Sequence, residues 1–153
     1  MRKIRIQDLK PGLVPGVEVL IPSAKDAYKE GNFEWTPSSL VAKFKTAEVS
    51  GGVLYAWHHV PVFHEVETHI DAETFYFISG VALMPFVDLR GGRPDIETVQ
   101  VVRILPGTQI IISPGKGHFV AVAESSEPVH AVVVSPKMEA PRVPLPDQVE
   151  GYE

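Results

Sequence analysis

The chain has 153 residues, with fourteen Lys and Arg against nineteen Asp and Glu for a formal net charge of −5; that length suits one domain with a real core, and an acidic balance without a basic run excludes a nucleic-acid footprint. Cysteine is absent, which excludes disulfides, thiolate nucleophiles and Cys-based zinc or iron–sulfur sites. No stretch approaches the run of about 18 apolar residues a membrane span needs, and Gln7, Asp8 and Lys10 interrupt any apolar run after Met1-Arg2-Lys3, so a cytoplasmic protein is expected.

Fourteen prolines and twelve glycines punctuate Val- and Ile-rich runs, the pattern of many short strands and turns. Ile4 and Ile6 fall on a first strand ended by Pro11-Gly12, and Val17 to Ile21 on a second between Gly16 and Pro22. Ser23 to Gly31 reads as one short N-terminal helix, with Ser23 as N-cap and Gly31 as stop. Asn32 to Pro37 is a loop whose Phe33 and Trp35 cover the core. Ser50-Gly51-Gly52 marks a hairpin turn, and Val53 to Val60 follows as a strand. His58 and His59 are neighbours there, so they point to opposite faces and do not serve one ion.

Phe75 to Ser79 and Val81 to Asp88 are strands meeting at Gly80, and Leu89 to Asp95 is a polar loop. Ile96 to Leu105 alternates, Pro106-Gly107 turns it into Thr108 to Ser113, and Pro114 to Gly117 turns again into Phe119 to Ala123. Val129 to Ser135 is the last strand. The organisation expected is one domain over residues 1–135 and an extended, proline-rich C-terminal tail over 136–153, lying across the barrel or a neighbouring subunit or else loose. About ten short strands with regular turn signals argue for an all-β sandwich or barrel.

The chemistry concentrates in His64-Glu65-Val66-Glu67-Thr68-His69 and the following Ile70-Asp71-Ala72-Glu73. Glu67 and His69, two apart, leave the same face of a strand with Cα atoms roughly 6.6 Å apart, close enough to converge on one ion. Glu73 has the same parity but lies roughly 13 Å beyond His69 on a straight strand, so a shared ion requires a turn around Ile70-Asp71-Ala72. His64 has the opposite parity. The competing reading is two solvated glutamates on an edge strand.

The spacing Glu67-x-His69-x3-Glu73-x6-Gly80 resembles the first sequence motif of the cupin family, with Glu67 where that family usually has His. Gly107, the run Thr108 to Ser113, and Pro114-Gly115-Lys116-Gly117-His118 resemble its second motif, one residue longer than usual between Gly107 and Pro114. The resemblance implies a double-stranded β-helix, the jelly-roll barrel, and adds His118 as a fourth ligand beside Glu67, His69 and Glu73. Two imidazoles and two carboxylates suit a divalent transition metal such as Ni, Mn, Fe or Zn, with open positions for substrate oxygens. Among Arg90, Arg93, Arg103 and Lys116, Lys116 is best placed to hold a substrate carboxylate, because it precedes His118.

Within the cupins, His64 to His69 resembles the His-Glu-x-Glu-x-His segment of the ureidoglycolate lyase family, and Arg93-Pro94-Asp95 resembles its Lys-Pro-Asp segment. Only His118 is kept where that family has Trp-His-His. The resemblance implies a lyase that releases glyoxylate and urea from a small carboxylated substrate, with Glu67 or Glu73 as base, and a homodimer paired through sheet edges. The alternatives are a cupin dioxygenase, a sugar isomerase or epimerase, and a non-catalytic binding module.

Overall fold

Branched and aromatic residues between Pro and Gly punctuation form strands throughout the computed structural model, which describes residues 1–153. In chain order these are β1 (Arg2–Arg5), β2 (Gln7–Asp8), β3 (Val17–Leu20), β4 (Tyr28–Glu30), β5 (Phe33–Trp35) and β6 (Ser50–Ala56). Then come β7 (Val62–Glu67), β8 (Glu73–Ser79), β9 (Ala82–Val87), β10 (Leu89–Arg90), β11 (Arg93–Pro94) and β12 (Gln100–Ile104). The chain closes with β13 (Gln109–Ile112), β14 (Gly117–His118), β15 (Val122–Ala123), β16 (Val129–Ser135) and β17 (Arg142–Tyr152).

Two sheets face each other. The larger runs β1-β17-β7-β14-β9-β12-β2 with β15 also on β9, and the smaller runs β3-β13-β8-β16-β6. Ladders are antiparallel except β1 with β17 and β12 with β2. The nearly closed, nearly all-β barrel is a double-sheet jelly roll, as the sequence leads one to expect. No helix is long and apolar enough to cross a membrane.

An eighteen-residue cluster, including Phe75, Phe77, Met84, Phe86, Ile110 and Ile112, fills the barrel. A nine-residue cluster, including Phe63, Val66, Leu83, Val101 and Val149, forms a second layer. Strand β9 serves both: Ala82, Met84 and Phe86 enter the first and Leu83 and Val87 the second. A strand buried on both faces explains its unbroken apolar sequence. Beside it, β15 pairs with Ala82 and Leu83 and β14 with Val87 and Phe86. Pro85, which has no N–H to give a ladder, falls where that pairing lapses.

Several segments differ from the sequence reading: the expected strand to Val60 ends at Ala56, Leu89–Arg90 and Arg93–Pro94 pair within the expected loop, and Ile96–Thr98 is a second 3-10 turn. The N-terminal helix shrinks to one 3-10 turn, Ala24–Asp26, capped by Ser23, whose hydroxyl accepts from the Lys25 N–H. Tyr28–Glu30 and Phe33–Trp35 alternate and pair as a hairpin, so Gly31, at φ +50°, turns a hairpin instead of stopping a helix. Gly51 and Gly52 lie inside β6, opposite Val134 and Val133. A Cβ on Gly51 would meet the Val133 carbonyl oxygen at 2.1 Å, so the glycine permits a close strand approach and not a turn. Residues 142–152, read as tail, form an eleven-residue strand between β1 and β7. Its prolines are tolerated because the register with β7 breaks between Pro144 and Val149.

Candidate metal centre

The turn that ligand spacing demands separates β7 from β8. Strand β7 ends at Glu67 in the larger sheet, β8 starts at Glu73 in the smaller, and His69 lies in the crossing between them. Asp71 fixes that crossing. Its buried carboxylate accepts from the Ala72 N–H at 2.7 Å and from the Lys45 N–H at 2.8 Å, while the Gly115 N–H donates to the His69 carbonyl at 2.8 Å. Strand β14 brings the fourth residue, since its register sets His118 opposite Glu67 on one side and Phe86 on the other. Gly117 allows this: a Cβ there would lie 2.6 Å from Val87 Cγ1 and Leu89 Cδ1.

One ligand atom from each of Glu67, His69, Glu73 and His118 falls within 4.8 Å of all the others. Glu73 Oε2 is 3.0 Å from His118 Nε2 and 3.2 Å from His69 Nε2. Glu67 Oε1 is 3.7 Å from His118 Nε2 and 3.9 Å from His69 Nε2. With metal bonds of about 2.1 Å, ligand atoms sit about 3.0 Å apart at octahedral corners and about 3.4 Å apart at tetrahedral ones. The observed separations bracket both values, and a small inward movement of Glu67 would close the set.

The imidazoles are oriented from behind. His69 Nδ1 donates to the Glu139 carbonyl and His118 Nδ1 to the Lys116 carbonyl, each at 3.1 Å. With each Nδ1 held by a carbonyl, both Nε2 atoms face the cluster, the usual support of a metal-bound histidine, and His118 Nε2 donates to Glu73 at 3.0 Å. His69 Nε2 is buried without a hydrogen-bond partner: Glu73 is near it but outside hydrogen-bond alignment. An orphaned buried nitrogen among two carboxylates is costly unless a cation takes its lone pair. The donor set therefore fits a divalent transition metal.

In the protein alone, the carboxylates and imidazoles perturb one another. Burial pushes the Glu73 carboxyl up, but the hydrogen bond from His118 and the close approach of the His69 imidazole outweigh it and leave the pKa at about 2. The Glu73 contact pushes His69 above its ordinary value, burial opposes this, and the Glu139 carbonyl adds to the rise.

Lys116 lies elsewhere. Its buried ammonium donates to Asp88 at 2.6 Å and its stem packs beside Gly16. Arg90 pairs with Asp95 at 3.0 Å, and Arg103 is gripped by Asp8, Glu153 and Glu124, which raise its pKa further. Of the three guanidiniums that the sequence offers beside Lys116, Arg90 and Arg103 have internal partners and Arg93 has no ion pair. His58 bonds the Ala123 carbonyl and His59 the Val60 carbonyl, and His64 is exposed on β7. The sequence reading missed the Glu139 carbonyl, because a backbone acceptor in a proline-rich segment carries no side-chain signal. It also missed a cleft of about 830 Å³ that has His69 in its wall and Lys45 and Lys137 among its lining.

No protein-family model matches the sequence, and no curated protein does. Solved sugar-epimerase structures share the fold. The dTDP-6-deoxy-D-glucose-3,5-epimerase RmlC of Legionella pneumophila superposes with a TM-score of 0.54 at 14% identity, over 84% of this chain and 71% of that one. NovW, a 4-keto-6-deoxy sugar epimerase of Streptomyces spheroides, gives 0.53 at 18% identity, over 91% and 73%. The Mn(II)-containing oxalate decarboxylase of Bacillus subtilis gives 0.45 at 18% identity, and this chain spans only 24% of its length.

Proposed function

We propose that this cupin is a metal-dependent enzyme acting on a small organic acid, with Glu67, His69, Glu73 and His118 as the metal ligands. The carrying observation is the convergence of four donors around an orphaned His69 Nε2. When bound, a divalent ion supplies a Lewis acid for carboxylate and hydroxyl oxygens of the ligand. The two imidazoles, locked by the Glu139 and Lys116 carbonyls, hold the coordinating face rigid. Glu73 is pinned between them. Glu67 stands farther off, hydrogen-bonded to neither imidazole; if it binds the ion through Oε1, its second carboxylate oxygen is left to take a substrate hydroxyl proton.

The finer lyase reading, release of glyoxylate and urea from ureidoglycolate, rests on the His64 to His69 resemblance alone. Metal-loaded protein incubated with ureidoglycolate and a panel of hydroxy and keto acids, followed by NMR, tests both levels. Turnover of any acid that stops on chelation supports the enzyme reading, and glyoxylate release supports the lyase. An untouched panel overturns the enzyme reading.

A second reading has an observation of its own. Glu73 between two imidazoles at 3.0 and 3.2 Å is also a proton-transfer pair that needs no metal, as an epimerase or isomerase would use. Turnover that survives chelation would favour it. We propose a homodimer, because Tyr55, Trp57 and Ile78 expose apolar surface on or beside the smaller sheet, whose edge strand β6 is free. A monomer on a calibrated sizing column would remove that assignment.

A further inference from the structure

The cleft beside His69 is too large and too apolar for a two- or three-carbon acid. Its volume is about 830 Å³, and Ile70, Leu89, Met138, Pro114 and Pro141 contribute to its wall. A pocket of that size and lining suits a ligand with a substantial apolar body. Lys45 and Lys137 line the same cleft. The ion pairs of this chain's lysines use Lys3, Lys29 and Lys116, so the two cleft ammoniums have no carboxylate of their own. Lys45 is also placed: its backbone N–H is held by buried Asp71, and its ammonium donates to the Ile70 carbonyl, next to ligand His69. One of its three N–H donors is thus used and two remain. Glu139 also lines the cleft, but as it pairs with neither lysine it leaves a net positive mouth.

We infer that this cleft binds an acid with an apolar body, its carboxylate held by Lys45 and Lys137 and its body lying along Ile70, Leu89 and Met138. This rests on the reading above only in directing the reactive end toward His69, and it names a larger, more apolar substrate class than the ureidoglycolate resemblance implies.

Octanoate is a suitable probe and methionine methyl NMR a local reporter. The chain has three methionines: Met138 lines the cleft, Met84 is in the barrel core and Met1 is terminal. Octanoate should shift the Met138 signal saturably and leave Met84 in place. Acetate should bind at least about tenfold more weakly, because it buries no chain. Replacing both ammoniums, Lys45→Gln with Lys137→Gln, should weaken octanoate about tenfold or more, with the unchanged Met84 signal reporting an intact core. A motionless Met138, equal binding of acetate, or undiminished binding by the double variant would each overturn the inference. The titration is run on metal-loaded and chelated protein. Octanoate binding by a protein that retains no metal would leave this inference standing and remove the metal reading; retained metal with a motionless Met138 would do the reverse.

Discussion

Gly80, which closes the ligand-bearing strand β8, offers a sharp test of how the barrel is held. Its φ is +72°, and a Cβ built there would lie 2.3 Å from the Pro128 carbonyl oxygen, 2.7 Å from its carbon and 2.9 Å from Val129 Cα. Gly80→Ala therefore carries two costs. The left-handed conformation costs an alanine about 1 kcal/mol, partly offset because alanine has less freedom to lose from the unfolded chain. The contact adds more, because every atom met is backbone, and β16, which begins at Val129, is paired on both sides by β6 and β8. Separating them by nearly an ångström strains or breaks ladder bonds, so the total should reach about 3 kcal/mol. Gly91→Ala is the control: φ is +57° and nothing lies within 4 Å, so only the conformational cost of about 1 kcal/mol remains. Urea unfolding of the metal-free proteins would measure both, and a thermal scan should show a Tm loss of about 10 °C for Gly80→Ala. Equal losses for the two variants would refute the steric argument.

Other outcomes follow from the same geometry. Glu73 has its pKa lowered from 4.5 to about 2, so its contribution is present above the unfolded value and lost as pH falls toward 2. His69 has its pKa raised from 6.5, so its contribution is present below 6.5 and lost as pH climbs through the raised value. The Tm of chelated protein should thus peak between about 4.5 and 6.5, and Glu73→Gln should flatten both limbs; a profile unchanged by that substitution would contradict the pairing. A divalent metal at 100 times its Kd should stabilise the fold by about 2.7 kcal/mol, and His118→Ala should remove that gain in a thermal scan. Deleting residues 142–153 should leave a chain without a cooperative melt, since β17 lies between β1 and β7 and carries buried Leu145 and Val149. An unchanged Tm would show instead that the segment is dispensable.

Where side chains announce their own partners, the sequence was readable. The apolar run at β9 and the Pro and Gly turns around β13 mark a β barrel, and the parity of Glu67 and His69 forces the turn before Glu73. Misreadings arose where backbone contact decides. Gly51-Gly52 looks like a hairpin turn until the Val133 carbonyl approaches it. Prolines at 144 and 146 look like a tail until a register break in β17 accommodates them. Lys116 has the chain position of a substrate anchor, but Asp88, 28 residues away in sequence, takes its ammonium. Lys45 and Lys137 gain their interest from a cleft formed by several loops, and no local pattern encodes that.

Metal content bears most directly on the central assignment. Purified protein, incubated with divalent ions and desalted, would be compared by elemental analysis with a Glu67→Ala, His69→Ala double variant whose circular dichroism matches the parent. Near-stoichiometric transition metal in the parent and none in the variant is the expected result. Equal metal in both, or none in the parent, would contradict a centre built from Glu67, His69, Glu73 and His118.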